Sequence, residues 1–352
     1  MKYYIAIAIA CLTFILYMVL KQAPITPEAY NPPKKPDFIG SLMPNSLLST
    51  SELLAQGKIK GAEDTCIDSM GRIYAGVEDG KIIRILPNNQ IETVAVTHGR
   101  PLGLHLDKNE NLIVCDAFKG LLSIDKQGKI TTLCLEAEGI PLFFTDDLDI
   151  ASDGMIYFTD ASYKFHQKEF LLDILESKPY GRLMKYDPNL NHVTVLIRDL
   201  YFANGVALSQ NEDFILVNES SRYRITRFWL KGTRSGTQDI FIDNLPGFPD
   251  NISSNKNGTF WVAFFTLRND LMDSIHPYPY IKTLIAKLPH WLYPKPQKYG
   301  LVLALDEKGT IVRSLHDPSG KRISQVTSVN EHQGALYLGN LDYDYIGKYT
   351  LP

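Results

Sequence analysis

GMIYFTD, residues 154–160, is a strand-like apolar run that follows a polar turn and ends in an acid. Five related runs occur elsewhere: GRIYAGV (71–77), NLIVCDA (111–117), DFILVNE (213–219), GTFWVAF (258–264) and GALYLGN (334–340). Each comes after a short apolar segment, and several lead through a turn into a further strand. The pattern predicts six antiparallel meanders of three or four strands.

The spacing of these runs indicates how the meanders are arranged. They begin 40, 43, 59, 45 and 76 residues apart, whereas a propeller blade needs about 40 to 50 residues. The two long intervals therefore imply insertions, which we place near residues 163–180 and 266–299. A closed ring also removes the sheet edges that an open array would expose. The sequence predicts an all-β fold, a six-bladed β-propeller over residues 59–352.

The amino terminus differs from the rest of the chain. YYIAIAIACLTFILYMVL, residues 3–20, carries no charge over 18 positions and is flanked by Lys2 and Lys21. As a helix it would span about 27 Å, close to the thickness of a bilayer core. We expect residues 1–21 to form an uncleaved signal-anchor transmembrane helix, with the propeller on the extracytoplasmic side. Residues 22–58 are predicted to be a Pro-rich linker and the segment leading into the propeller.

Oxygen-bearing side chains recur where the innermost strands are expected to begin. Four such positions are occupied by Glu63, Asp146, Asn204 and Asp250. For the sixth blade the corresponding stretch is VNEHQG (329–334), which contains Glu331. Calcium takes six to eight oxygen ligands in flexible geometry, and a ring of blades can aim one oxygen from each strand at the axis. The alternative is that these residues only stabilise turns.

A fifth candidate ligand stands next to Asp250 in the stretch LPGFPDNIS, residues 245–253. Its two prolines and glycine bend the chain just before a strand, so that Asp250 and Asn251 would both meet the cation. Because no His or Cys occupies the equivalent positions, zinc, copper and iron are poor candidates. The sequence predicts one calcium ion on the propeller axis.

Several longer motifs resemble the strictosidine synthase-like family, which is similar to paraoxonases and gluconolactonases. They are YGRLMKYDP (180–188), FANGVALSQNEDFILVNES (202–220), LPGFPDNI (245–252), SLHDPSG (314–320) and EHQGALYLGN (331–340). The resemblance implies a six-bladed propeller with axial calcium and, in several members, arylesterase or lactonase activity. It places the calcium ligands on Glu63, Asn204, Asp250 and Asn251, with Asp146 where an asparagine is usual. It also implies a possible second calcium involving Asp64 and Asp147.

Two departures from related families narrow the chemistry. The catalytic histidine of a Pro-His-Gly stretch in paraoxonases is replaced here by Leu102, and the glutamate of strictosidine synthases by Thr327. A histidine dyad at that site is therefore absent, and condensation of an amine with an aldehyde is disfavoured. A calcium-dependent ester or lactone hydrolase is favoured, with Asp250 as nucleophile or general base and Asp146 as second choice. A non-catalytic propeller that binds a ligand or partner around a structural calcium is the alternative.

The expected partners follow from composition and from the insertions. A net charge of −3 without a basic stripe excludes nucleic acid as an expected partner. The insertions mix aromatic, aliphatic and lysine residues, so they would either cap the propeller or rest at a membrane surface and admit apolar substrates. We expect a small, lipophilic ester or lactone as substrate, and membrane contact through the amino-terminal helix.

Overall fold

A computed structural model describes residues 3–5, 13, 17, 20–293 and 295–352. The first described strand is β1 (Glu52–Leu54), and β2 (Thr65–Ile67), β3 (Ile73–Gly76), β4 (Lys81–Ile85) and β5 (Ile91–Val96) form the first blade. The second blade comprises β6 (Pro101–Leu106), β7 (Leu112–Asp116), β8 (Gly120–Ile124) and β9 (Ile130–Cys134), and a small hairpin, β10 (Glu136–Ala137) and β11 (Ile140–Pro141), follows it.

The remaining blades repeat this four-stranded plan. The third contains β12 (Thr145–Ile150), β13 (Ile156–Asp160), β14 (Gly181–Asp187) and β15 (His192–Leu200), and the fourth β16 (Ala203–Leu208), β17 (Phe214–Glu219), β18 (Arg224–Trp229) and β19 (Gln238–Ile242). The fifth contains β20 (Gly247–Ser254), β21 (Thr259–Leu267), β22 (Gly300–Asp306) and β23 (Ile311–Asp317), and the sixth β24 (Val326–His332), β25 (Ala335–Asn340) and β26 (Ile346–Thr350).

The ring closes through contacts at its centre and through one strand from the other end of the chain. Each innermost strand contacts the innermost strand of the next blade, and β24 contacts β2. β1 lies in the predicted linker and leading segment, residues 22–58, and pairs antiparallel with β26 as the outer strand of the sixth blade. The six-bladed all-β propeller predicted from the repeat is confirmed.

The core is divided between the blades. One buried apolar cluster lies in each of the six gaps between adjacent sheets. Strand side chains alternate between the two faces of a sheet, so each blade contributes to two clusters. The stability of the ring is therefore spread over its whole circumference, and the loops at the mouth are left to carry the site.

Both predicted insertions are present at the mouth end of the ring. Residues 161–180 contain helix α1 (Phe170–Glu176), and residues 268–299 contain α2 (Asp270–Ile275) and α3 (Pro279–Ala286). Short 3-10 helices lie at Gly40–Leu42, Leu47–Thr50, Gln167–Glu169, Ser220–Arg222, Gly232–Arg234 and His290–Leu292. We call the two insertions the cap.

Most of the predicted membrane segment, residues 3–20, lies outside the described residues. Within the described part of the chain, no helix is both long enough and apolar enough to cross a bilayer. The Pro-rich part of the predicted linker does not stand apart from the propeller. It lies along the cap, and we call residues 21–38 the tether.

Candidate functional site

The innermost strands share a local distortion that builds the site. In five blades this strand has one extra residue relative to its neighbour, a β-bulge. The two residues inside each bulge form doublets at the mouth: Leu102-Gly103, Asp146-Asp147, Asn204-Gly205, Asp250-Asn251 and Thr327-Ser328, while Glu63-Asp64 precedes β2. The doublets bring six positions from separate blades to the axis, four of which carry the predicted oxygens.

Two doublets contain glycine because the strands approach each other closely. A Cβ on Gly205 would lie 2.4 Å from Cα of Asn251, and a Cβ on Gly103 would lie 2.5 Å from Oδ1 of Asp147. Any side chain at either position would push the neighbouring blade away. Glycine at these positions therefore permits the tight ring that gathers the oxygens.

The predicted ligands meet at the floor of a cavity. Glu63, Asp146, Asn204 and Asp250 all line it. Asn251 is joined to them because its Nδ2 donates to Oε1 of Glu63 at 3.2 Å. The structure thus brings together all five candidate ligands.

These side chains leave oxygens without partners. Four buried oxygens of the candidate ligands have no hydrogen-bond partner: Glu63 Oε2, Asp146 Oδ2, Asn204 Oδ1 and Asn251 Oδ1. Buried polar atoms are normally satisfied, so a cluster of unsatisfied oxygens calls for an explanation such as an ion. Four acceptors, with no donor among them, suit a hard cation.

Burial and mutual repulsion raise the pKa values of the acids. Burial, followed by the charges of Asp250 and Asp146, raises the pKa of Glu63 well above its usual value. Burial and then Asp250 do the same to the pKa of Asp146. Burial raises the pKa of Asp250 to about 7, against the opposing hydrogen bond from Asn204. Without a cation, the ring therefore favours protonated carboxyls.

Among the described residues, no three His, Cys, Asp or Glu side chains form a compact metal-binding group. The carboxylates of Glu63, Asp146 and Asp250 are therefore not arranged as such a group. The unsatisfied oxygens of Asn204 and Asn251 are of a kind that calcium accepts as ligands.

The second acids of two doublets, Asp64 and Asp147, do not line the cavity. Asp64 accepts from the Leu104 amide at 3.1 Å and from Nδ2 of Asn330 at 2.8 Å. Asp147 accepts from the Val206 amide at 2.9 Å. These carboxylates connect neighbouring blades through backbone donors, which explains their burial without an ion. A second calcium at this level stays a prediction.

One expectation for the ring is wrong. Glu331 does not stand at the mouth, because β24 begins at Val326 and Glu331 lies near its far end, where it accepts from Nε1 of Trp261 at 2.6 Å. The mouth position of the sixth blade belongs to Thr327, whose hydroxyl donates to the carbonyl of Glu63 at 2.6 Å. Thr327 therefore holds the backbone of a candidate ligand.

Two positioning residues were missed by sequence reasoning. Nδ2 of Asn218 donates to the carbonyl of Asp250 at 2.6 Å, and Oγ of Ser220 donates to the carbonyl of Pro249 at 2.6 Å. Asn218 lies near the end of β17 and Ser220 directly after it, and their hydrogen bonds hold the backbone of β20 at its bulge. The NES stretch at 218–220 occupies the end of the repeated strand, a signal that could have indicated contact with the mouth.

Above the polar floor, the cavity is almost entirely apolar and has a volume of about 300 Å³. Its lower wall consists of aromatic and aliphatic side chains from the propeller, Leu102, Phe144, Phe202, Phe248 and Phe265, and its upper wall of cap side chains, among them Phe170, Ile174, Leu175, Met272, Ile275 and Ile285. A cavity of this kind accepts a small molecule with an apolar body and one polar group directed at the floor.

Comparison with known proteins agrees with this architecture. The profile of strictosidine synthase matches residues 146–233, and that of the strictosidine synthase-like amino-terminal region matches residues 40–85. Adipocyte plasma membrane-associated protein of Rattus norvegicus is 37% identical over 95% of this chain and 95% of its own length.

Two solved structures share the fold at low sequence identity. A gluconolactonase of Xanthomonas campestris aligns with a TM-score of 0.63 at 16% identity, over 95% of this chain and 99% of its own. Regucalcin of Agrobacterium tumefaciens, described as a calcium-binding protein, aligns with a TM-score of 0.59 at 14% identity, over 85% and 91%. The extent and identity of the rat match, together with the two profiles, show that this chain belongs to the strictosidine synthase-like family, in its adipocyte plasma membrane-associated protein branch.

Proposed function

We propose that this chain is a membrane-anchored, calcium-dependent hydrolase of esters or lactones. The observation that carries the proposal is the ring of unsatisfied buried oxygens at the floor of an apolar cavity. The gluconolactonase and the calcium-binding regucalcin that share the fold support the same reading. The relatives named for the plasma membrane support the anchor.

The proposed calcium site consists of Glu63, Asp146, Asn204, Asp250 and Asn251, and a second ion is proposed near Asp64 and Asp147. Bound calcium would supply a positive centre for the carbonyl oxygen of the substrate and for the negative charge that develops on it. The protein's contribution is to gather five donors from four blades at the floor of the cavity.

Asp250 is assigned as nucleophile or general base. It lines the cavity and is only 7% exposed, so its carboxyl group can meet a bound substrate. Asn218 and Ser220 hold the backbone on either side of the Pro249–Asp250 peptide. Asp146, across the ring, is the second candidate.

The apolar walls orient the substrate and exclude water. Phe144, Phe202 and Phe248 surround the floor, so a substrate's hydrocarbon or aryl group would lie above the acids with its carbonyl directed downwards. Burial of such a group stabilises binding by about 25 cal/mol per Å² of apolar surface. This favours lipophilic esters and lactones over sugar-like ones.

The test is hydrolysis of phenyl acetate and of γ- and δ-lactones by the full chain, with calcium and with a chelator. We expect chelation and Asp250→Asn each to abolish turnover. The matched control is Asp149→Asn, because Asp149 is a buried axial carboxylate that bonds to Leu208 and Lys256 and does not line the cavity. A single turnover in ¹⁸O-labelled water tests for a nucleophile. Asp250 would acquire the label if it forms a mixed anhydride with the acyl group and water then attacks the Asp250 carboxyl carbon, which releases the acid.

One observation favours a second candidate function. Among the described residues that line the cavity there is no histidine, so catalysis would depend on carboxylates alone. A propeller that binds a lipophilic ligand around a structural calcium would need no base. Calcium binding by calorimetry without turnover of any ester or lactone would establish that function and refute the hydrolase.

A further inference from the structure

The tether is bound along the cap over its whole length. The Glu28 amide donates to the carbonyl of Glu176 at 3.0 Å, and the Tyr30 amide donates to the carbonyl of His276 at 3.0 Å. Ile25 is buried in a cluster with side chains of all three cap helices, among them Leu172, Ile275 and Ala286. The tether therefore contacts both insertions and joins them.

Charged side chains reinforce this contact. The guanidinium of Arg222 lies between two aromatic rings, 4.0 Å from the centre of Tyr30 and 3.6 Å from that of Tyr201. The ammonium of Lys282, which is fully buried, donates to the carbonyl of Glu28 and to Oγ of Ser177. A tether held by such contacts is no flexible spacer, so its first residue has a defined place on the protein.

That first residue lies at the end of α3. Nζ of Lys21 donates to the carbonyl of Lys287 at 2.7 Å. The 18-residue uncharged run, residues 3–20, ends immediately before Lys21. A membrane segment that ends here would bring the cap, and not the opposite end of the propeller, to the bilayer surface.

The cap exposes apolar side chains near this point. Six are exposed, and we call them the cap patch: Leu271, Tyr278, Tyr280, Ile281, Trp291 and Leu292. Trp291 is 77% exposed and Tyr280 is 74% exposed. Leu271 and Leu292 also line the cavity, which places them at its rim. Part of the patch therefore lies beside the cavity.

The composition of the patch and its surroundings selects a lipid surface as its occupant. Lys287, Lys295 and Lys298 are at least partly exposed beside the patch, and the acids Asp270 and Asp273 flank Leu271. Tryptophan and tyrosine are enriched at the interface between hydrocarbon and water, and lysine side chains near the membrane surface extend towards the aqueous interface. A protein partner would also accept apolar side chains, but the proposed anchor, which ends at Lys21, would place a bilayer at this side.

We propose that the cap patch lies in the bilayer interface, so that the cavity opens towards the membrane and receives its substrate from the lipid phase. The proposal rests on the membrane anchor and adds an orientation to the proposed function. The tether sets that orientation, because it connects the end of the membrane segment directly to the cap.

The three tryptophans of the chain permit a direct test. Trp229 ends β18, which runs away from the mouth, and Trp261 lies near the start of β21, so both are at the opposite end from Trp291. The full chain is placed in nanodiscs containing phosphatidylserine and lipids that carry a fluorescence quencher near the headgroup. The Trp229→Phe/Trp261→Phe variant retains only Trp291, and the matched control, Trp261→Phe/Trp291→Phe, retains only Trp229.

We expect the quencher to reduce the emission of Trp291 and to leave the emission of Trp229 unchanged. Unquenched Trp291 in a chain that co-purifies with nanodiscs would overturn the orientation, and failure to co-purify would overturn the anchor on which it rests. Phenyl acetate hydrolysis in the same samples tests the proposed function separately. Should the variants misfold, hydrogen exchange of the unaltered chain serves instead: amides of residues 278–292 should be more protected in nanodiscs than in detergent, and equal protection would refute the proposal.

Discussion

Replacing Asp250 by asparagine should change how the stability of the calcium-free protein depends on pH. In the native state the pKa of this carboxyl is raised from 3.8 to about 7 by burial. The native state therefore binds more protons than the unfolded state between these values. The stabilisation is fully present below the unfolded pKa and is lost as the pH rises through about 7.

The magnitude follows from the raised pKa. Between about pH 5 and about pH 8, a carboxyl with a native pKa near 7 loses about 3 kcal/mol of native-state stabilisation. Two buried histidines act in the opposite direction, because the pKa of His276 is lowered to about 3 and that of His316 to about 4, mainly by burial. Their contribution is common to both proteins and cancels when the variant is subtracted from the wild type.

The assay is denaturant unfolding of the full chain in detergent with a chelator, for the wild type and for Asp250→Asn, across this range. The free energy of unfolding of the wild type relative to the variant should fall from acid to alkaline pH by about 3 kcal/mol on account of Asp250 itself. It should fall further because removal of the Asp250 charge also lowers the raised pKa values of Glu63 and Asp146. Calcium should then stabilise the wild type most at alkaline pH, where it no longer competes with protons. A difference that is constant or rises with pH would show that Asp250 is not buried among acids.

Three further outcomes are expected. Gly205→Ala places a Cβ 2.4 Å from Cα of Asn251, so unfolding should cost about 1–3 kcal/mol less and calorimetry should show weaker calcium binding; unchanged affinity would contradict the close-packed ring. Ile174→Trp fills part of the cavity and should lower kcat/KM for long-chain esters but not for phenyl acetate, whereas an equal effect on both would argue against binding of the chain there. Lys282→Met leaves the carbonyl of Glu28 without its donor, and mass spectrometry should show faster hydrogen exchange across residues 25–30 but not in the first blade.

The fold was predictable because each blade repeats a local pattern. Alternation along strands such as GMIYFTD and turns at regular spacing are properties of short segments, so the repeat identified the sheets without any long-range information. The outer strand of the sixth blade was not predictable in this way. β1 has only three residues, and its partner β26 lies at the other end of the chain, so only ring closure gives Glu52–Leu54 a reason to be a strand.

The site was predictable to the extent that it repeats with the blades. Four of the candidate ligands lie eight or nine residues before the first residue of the next repeated run: Glu63, Asp146, Asn204 and Asp250. The bulges place the last three of them at the axis. The same count, applied backwards from Gly334, leads to Gln325 or Val326, within two residues of Thr327, and not to Glu331. The error arose from taking the acid nearest to the turn, although the innermost strand must first cross the depth of the ring.

The cap and tether lay beyond sequence reasoning because their structure depends on contacts between distant segments. Proline excludes the tether from helices and sheet interiors, which says what it is not, but its backbone partners are carbonyls of Glu176 and His276 far along the chain. These contacts also fix Lys21 beside α3. Under the proposed anchoring, the packing of the tether would therefore determine which way the cavity faces, whereas a free stalk would leave the cavity without a preferred direction and a lipophilic substrate would have to cross water to reach it.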